Sequence, residues 1–138
     1  MLKVIQENKL LLPQEIEVWY VLPAIRKEFA LALIASGLSQ KKVAEILGVT
    51  GAAVSQYKKE KRAHEFVFDD TFKAEVKKSV ERVIGKSGSV FDEMMRIDHY
   101  IKQSVLFCKI HRAKSWTPTG CEAVCAQSFL KAGVGHGH

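Results

Sequence analysis

The sequence predicts an all-α fold. Apolar residues recur at spacings of three and four in several segments of the 138-residue chain, which is the pattern of helices that bury one face. Strand-like alternation is scarce, and Gly37 and Gly48 each follow an apolar helical pattern at a position where a helix would end. These observations favour one small helical domain with an extension.

Composition narrows the class of partner. Hydrophobic residues make up 47% of the chain and charged residues 26%, as in ordinary soluble domains. No apolar run approaches the roughly 20 residues that cross a bilayer, and the N-terminus lacks a signal-peptide pattern. We therefore expect a cytoplasmic protein without a membrane partner. The net charge of +6 favours nucleic acid first and an acidic membrane surface second, although a solvated basic face has the same composition.

An N-terminal extended arm is predicted for residues 1–22, because apolar residues alternate with others from Ile16 to Leu22. A helix then follows from Pro23 to Gly37, since proline suits the first turn of a helix and glycine its C-terminal cap.

This helix opens a domain that is predicted to cover residues 23–87. Asp70 or Thr71 is expected to cap a later helix of the same domain. The apolar stripe of that helix consists of Phe72, Val76, Val80, Val83 and Ile84.

A helical extension is predicted for residues 88–131, followed by a disordered tail at 132–138. Its long first helix runs from about Val90 to Ala113, and a last helix covers Cys121 to Lys131. The heptad rhythm of the long helix predicts pairing with a second copy, and hence a homodimer. The predicted seam consists of Val90, Met94, Ile97, Ile101, Ser104 and Cys108.

Two short helices with a sharp hinge are predicted within "LSQKKVAEILGVTGAAVSQYKKEKR", residues 38–62. Ser39 and Thr50 occupy N-cap positions, where a side-chain oxygen accepts a backbone N–H. Ala44 is small enough for two crossing helices to approach closely. Gly48 can adopt the left-handed conformation that ends a helix within one residue. These features together predict a helix-turn-helix.

The same stretch resembles the helix-turn-helix of phage-repressor-type regulators in bacteria and archaea. A longer stretch, residues 13–57, resembles a narrower group of predicted archaeal regulators that often carry a cysteine-bearing helical extension. The resemblance implies binding of double-stranded DNA. The matching positions are Ser39, Gln40, Ala44, Leu47, Gly48, Val49, Thr50, Val54 and Ser55.

The resemblance also implies a role for individual residues. Gln40 would hold a phosphate at a helix N-terminus, where backbone N–H groups favour anions. The third helix would enter the major groove, with Gln56 able to recognise adenine through paired hydrogen bonds and the basic residues neutralising phosphates. The predicted DNA-binding residues are Ser39, Gln40, Thr50, Gly51, Ala52, Ser55, Gln56, Lys58, Lys59, Lys61 and Arg62.

A cysteine cluster lies in the extension. Cys108 and His111 are three residues apart, and Cys121 and Cys125 are four apart, so each pair shares one face of its predicted helix. Three thiolates and an imidazole satisfy tetrahedral zinc, and three cysteines equally suit an iron–sulfur cluster. Reactive thiols, a disulfide, or simple packing of Cys108 in the core are the alternatives.

The sequence shows no catalytic arrangement, and we expect no enzyme. The predicted function is a sequence-specific DNA-binding transcriptional regulator that acts as a homodimer and responds to a metal or to redox state. The alternative is a bridging coactivator that keeps the same fold but binds the basal transcription machinery instead of specific DNA.

Overall fold

The computed structural model describes residues 10–59 and 68–117. All regular structure in these two ranges is helical and neither contains a strand, which confirms the all-α prediction. None of the described helices combines the length and the apolar character needed to cross a membrane. The elements are α1 (Pro13–Ile16), a π-helical turn (Glu17–Val21), α2 (Leu22–Ala35), α3 (Gln40–Leu47), α4 (Gly51–Lys59), α5 (Asp70–Ile84), α6 (Val90–Lys102) and α7 (Val105–Lys114).

The chain divides into two compact units. The central unit is Pro23–Ile97, and the end unit joins the described residues before Pro23 to those after Ile97. The predicted domain at 23–87 falls within the central unit. Residues 1–9 of the predicted arm, the predicted last helix and the tail at 132–138 lie outside the described residues.

The extended arm is a wrong prediction for residues 13–22, which are helical. Helix α1 begins at Pro13, whose missing N–H costs nothing in a first turn. Glu15 strengthens this start, because its Oε1 accepts a hydrogen bond from the backbone N–H of Leu12 at 2.8 Å. Pro13 and Glu15 were therefore signals of a helix start in the sequence, but the alternating apolar residues after them favoured a strand-like interpretation.

The π-helical turn explains the misleading alternation. Ile16 and Val21 are both fully buried and lie five residues apart. That spacing fits neither a strand nor an α-helix, but it fits the wider turn of a π-helix, in which Leu22 N–H bonds to Glu17 O. A proline inside a helix presses on the carbonyl four residues earlier, and the wide turn lies directly before Pro23, where it relieves that clash.

The core of the central unit follows the predicted helical spacing. Ile25, Phe29 and Leu33 of α2 are fully buried, and α2 ends before Gly37, which adopts a φ of 103°. In α5, the first three residues of the predicted stripe are buried, whereas Val83 is half-buried and Ile84 is exposed.

The cap of α5 lies one residue earlier than predicted. Asp69, and neither Asp70 nor Thr71, is the N-cap: its Oδ1 accepts from the backbone N–H of Phe72 at 2.8 Å.

The predicted long helix is broken, and its seam is wrong. Helix α6 ends at Lys102 and α7 begins at Val105. Ser104 Oγ donates to the carbonyl of Ile101 at 2.7 Å. This serine therefore satisfies a backbone carbonyl at the C-terminal end of α6 and does not continue the helix. Ile97 and Ile101 are 0% and 1% exposed within the single chain, so both are core residues and cannot form an open intersubunit seam.

Helix α6 carries a cluster of ion pairs within the central unit. Glu93 accepts hydrogen bonds from Arg82 Nε at 3.0 Å and from Arg96 Nε at 3.2 Å. Arg96 also donates to Glu75 Oε1 at 2.8 Å and to Ser79 Oγ at 2.6 Å. The hydrogen bond from Arg82, supported by the others, lowers the pKa of Glu93 from 4.5 to about 2.

The end unit contains a smaller cluster with fewer cations. Lys102 Nζ lies 3.2 Å from Glu17 Oε2 and 3.6 Å from Asp98 Oδ2. Asp98 Oδ1 is buried and has no hydrogen-bond partner among the described residues. Burial and the neighbouring Glu17 carboxylate together raise the pKa of Asp98 from 3.8 to about 7.

Candidate nucleic-acid interface

Helices α3 and α4 pack against each other, and local capping determines where each begins. Ser39 Oγ accepts a hydrogen bond from the backbone N–H of Lys42 at 3.1 Å, and Thr50 Oγ1 accepts one from Ala53 at 3.0 Å. Both residues are N-caps of the kind that the sequence predicts. The cap positions therefore fix the start of each helix independently of the rest of the fold.

The turn between the helices depends on Gly48. This glycine has φ 66° and ψ 35°, a left-handed conformation that residues with a Cβ rarely adopt. Val49 N–H then donates back to Ala44 O at 3.0 Å, which satisfies a carbonyl at the end of α3. Val43 and Val54 are fully buried, so each helix of the pair contributes one side to the core.

The outer side of α4 is open and carries small side chains at its start. A Cβ added at Gly51 would meet nothing within 4 Å, so an approaching surface could come close to the backbone there. Ser55 is half-buried, whereas its neighbours on this side are exposed. The exposed residues of α4 are Gly51, Ala52, Gln56, Lys58 and Lys59.

The side chains of Gln40 and Ser55 join the two helices. Ser55 Oγ donates to Gln40 Oε1 at 3.1 Å, and both groups are partly buried. Gln40 is the first residue of α3 and directly follows its N-cap, Ser39. The sequence predicts a functional role for each of these residues separately, but their hydrogen bond becomes visible only in the structure.

The helical pair is positively charged. Residues 38–59 contain four lysines and one glutamate. The glutamate, Glu45, lies 4.0 Å from Lys42, but both side chains are more than half exposed, so this pair neutralises little. The surface around the start of α3 and the end of α4 therefore keeps a positive potential.

Nine of the eleven predicted DNA-binding residues lie on this pair of helices or their caps. The other two, Lys61 and Arg62, lie outside the described residues. Ser55 is the residue whose surroundings differ most from the prediction, because its hydroxyl is engaged with Gln40 instead of facing outward alone.

The proposed metal ligands are only half described. Cys108 and His111 on α7 are 5% and 7% exposed, and Cys121 and Cys125 lie outside the described residues. His111 Nε2 is 2.7 Å from the carbonyl oxygen of Leu11. A carbonyl accepts and does not donate, so Nε2 carries the proton and Nδ1 is the nitrogen that could bind a metal. Residues 10–59 and 68–117 contain no group of three or more possible ligands.

Comparisons of the chain with protein-family models, curated proteins and solved structures give no match.

Proposed function

We propose that this protein is a sequence-specific DNA-binding transcriptional regulator that acts as a homodimer. In this proposal α3, the turn at Gly48 and α4 form a helix-turn-helix, and α4 enters the major groove. The observation that carries the proposal is the outer side of α4. It combines small residues at the N-terminal end with an exposed glutamine and two exposed lysines, and it belongs to the same helical pair as the N-terminus of α3.

Each part of that surface suits a different part of DNA. Gly51 and Ala52 cannot donate paired hydrogen bonds from their side chains, so they favour close approach and contact with thymine methyl groups. Gln56 has the amide that can pair with adenine. Lys58 and Lys59 are placed to neutralise phosphates, which sets affinity and its salt dependence more than the choice of sequence.

The homodimer requires a contact other than the predicted seam. Phe91 and Met95 lie one turn apart on α6 and are 70% and 57% exposed, unlike the buried Ile97. Large exposed apolar side chains at helical spacing favour self-association, because pairing removes them from water. We place the dimer contact at these two residues. The response to a metal or to redox state stays a prediction, since two of its four candidate ligands are outside the described residues.

Selection from random duplex DNA tests the proposal. A dimeric regulator should enrich a near-palindromic motif whose half-sites are about 34–36 Å apart, one helical turn of DNA. The Phe91→Glu variant should be monomeric in sedimentation and should enrich a single half-site. If the wild-type chain enriches no motif at all, the regulator proposal is wrong, and the coactivator remains.

Two point variants separate sequence readout from general affinity. Gln56→Ala should cost about 1–3 kcal/mol on the selected site and relax preference at one base position. Lys59→Ala should weaken binding to all sequences alike and reduce the slope of affinity against salt by about one phosphate contact. Equal losses for Gln56→Ala on selected and random DNA would show that α4 does not read bases through this residue.

A further inference from the structure

Three large apolar side chains are exposed where two stretches of the end unit meet. The backbone N–H of Leu11 donates to Ser115 Oγ at 2.9 Å, so the residues before α1 lie against the residues after α7. Leu11 itself is buried. Its neighbours Leu10 and Leu12, and Trp116 beside Ser115, are each more than half exposed. These three exposed residues are called the end-unit patch below.

The size of the end-unit patch limits what can cover it. Grouped apolar side chains favour a partner, because covering them removes apolar surface from water. A stable interface between two proteins buries about 800 Å² on each partner, far more than three side chains supply. The patch is therefore too small to hold a second copy of the chain by itself. It suits a short segment that is already attached beside it.

The chain provides such a segment directly after the patch. The described residues end at Thr117, next to Trp116, and residues 118–138 follow. Four apolar residues of this part of the sequence recur at spacings of three, one and four, which is the pattern of one face of a helix. They are called the C-terminal stripe below and are Cys121, Val124, Cys125 and Phe129.

The connection between the patch and the stripe is short. Pro118 and Gly120 lie between Thr117 and Cys121, and both residue types favour a change of direction. The four residue steps from Thr117 to Cys121 span at most about 14 Å. A segment on so short a tether meets the patch at an effective concentration on the order of millimolar, so a weak apolar contact is enough to hold it.

We propose that residues 121–131 bind as an amphipathic helix on the end-unit patch, with the C-terminal stripe against the two leucines and the tryptophan. The bound segment covers the junction between Leu11 and Ser115 and screens its hydrogen bond from water. The proposal concerns the end unit alone, so it does not depend on the binding of DNA.

Disulfide trapping in the full-length chain tests the proposal. Leu12→Cys places a thiol in the patch, and the cysteines of the C-terminal stripe are its partners. The oxidant is diamide, which takes up the two electrons and two protons that the thiols lose. In dilute protein, mass spectrometry should find a disulfide within one chain, between residue 12 and residue 121 or 125, because docking brings these positions within bonding distance.

The matched control for trapping is Val105→Cys. Val105 is 57% exposed and Leu12 is 56% exposed, and Val105 lies at the opposite end of α7 from Ser115. A thiol at residue 105 should be trapped about tenfold more slowly or less, because the docked stripe lies too far away for the geometry of a disulfide.

A second substitution separates docking from proximity, since any tethered segment meets a nearby thiol at some rate. In the Leu12→Cys chain, Phe129→Glu puts a charge in the C-terminal stripe, and Gln127→Glu puts the same charge outside it. Phe129→Glu should slow trapping about fivefold or more, because docking would bury an unpaired charge. Gln127→Glu should stay within about twofold of the parent chain, as expected for a surface substitution.

Tryptophan fluorescence gives a readout that needs no new thiol. The chain has two tryptophans, so Trp19→Phe leaves Trp116 as the only emitter. In this background Phe129→Glu should shift the emission of Trp116 to longer wavelength and make it easier to quench with acrylamide, because the indole loses its cover. Gln127→Glu should change neither quantity.

Each other outcome overturns the proposal. Disulfide-linked dimers without a disulfide inside one chain would assign the patch to a second copy. Equal trapping at residues 12 and 105, or equal trapping with Phe129→Glu and Gln127→Glu, would show that the segment meets the patch only by chance. If Leu12→Cys loses helical content, Leu10→Cys replaces it in the same test, since Leu10 is exposed and precedes α1.

Discussion

Two buried carboxylates on the same helix behave in opposite ways. Glu93 and Asp98 both lie on α6, and each residue is 7% exposed. Burial acts against the charged form of both, yet the pKa of Glu93 falls to about 2 while that of Asp98 rises to about 7. Burial is the largest cause of the raised pKa of Asp98, whereas at Glu93 the hydrogen bond from Arg82 outweighs the effect of burial.

The difference lies in the number and chemistry of the neighbours. Glu93 accepts hydrogen bonds from two arginines, whose planar groups match a carboxylate well. Asp98 shares a single lysine with a second carboxylate, Glu17, and one of its oxygens has no hydrogen-bond partner in the part of the chain that the structure describes. A buried acid with enough donors stabilises the fold when charged, and a buried acid with too few stabilises it when protonated.

The largest expected effect comes from removing a cation beside Glu93. Arg96→Met should lower the free energy of unfolding by about 2–3 kcal/mol at pH 7, because Glu93 and Glu75 both lose a donor while staying charged. The folded pKa of Glu93 lies below its unfolded value, so this stabilisation is present above about pH 4.5 and is lost as the pH falls toward 2. Denaturant unfolding at pH 7 and near pH 2 should therefore show a difference between variant and wild type that shrinks in acid.

The matched control is Lys77→Met, which removes an exposed cation from α5. It should change stability by less than about 0.5 kcal/mol. Similar losses for Arg96→Met and Lys77→Met would mean that the arginine cluster contributes no more than general surface charge.

A smaller effect of opposite sign is expected at Asp98. Its folded pKa lies above its unfolded value of 3.8, so wild-type stability falls as the pH rises from about 4 through 7. Asp98→Asn keeps the shape, and its amide can donate to Glu17 at every pH. Between pH 5 and pH 8 the variant should gain about 1–2 kcal/mol relative to wild type in denaturant unfolding.

Asp92→Asn provides the comparison for this variant, since Asp92 is an exposed acid on the same helix. Its stability relative to wild type should stay constant between pH 5 and pH 8. Parallel pH curves for Asp98→Asn and wild type would contradict the assignment of a raised pKa to Asp98.

The smallest effect should come from glycine substitutions. A Cβ at Gly88 would lie 2.8 Å from Glu93 Oε2, so Gly88→Ala must displace the carboxylate from its arginine partners. Because that end of the side chain can move, the expected cost is only about 0.5–1 kcal/mol. Gly51→Ala meets nothing within 4 Å and should instead stabilise the chain by about 0.4–1 kcal/mol. Thermal unfolding that shows the same sign for both variants would remove Gly88 from the environment of Glu93.

The sequence predicted those parts of the fold whose causes are local. Ser39, Gly48 and Thr50 each act on backbone groups within a few residues, so a pattern of residue types is enough to place the two helices and their turn. The buried positions of α2 likewise follow from helical spacing, as the burial of Phe29 shows.

The features that the sequence did not predict depend on rare helix geometry or on contacts between different helices. The π-helical turn at Glu17–Val21 places its buried residues five positions apart. Because such turns are rare, the pattern was interpreted as the alternation of a strand. The break at Ser104 was hidden because the heptad rhythm continues through it. The hydrogen bonds from Ser55 to Gln40 and from Arg82 to Glu93 join residues 15 and 11 positions apart on different helices, and no local pattern encodes such contacts.

Because Cys108 is buried, the rate at which its thiol reacts can report local unfolding around α7. A thiol that is 5% exposed on α7 cannot meet a reagent in solution until the surrounding structure moves aside. At low reagent concentration the labelling rate reports how often α7 is open, and at saturating concentration it reports how fast α7 opens. With Cys121 and Cys125 replaced by serine, Cys108 becomes a single-site probe, and mass spectrometry over minutes to hours converts one buried sulfur into a measurement of local unfolding.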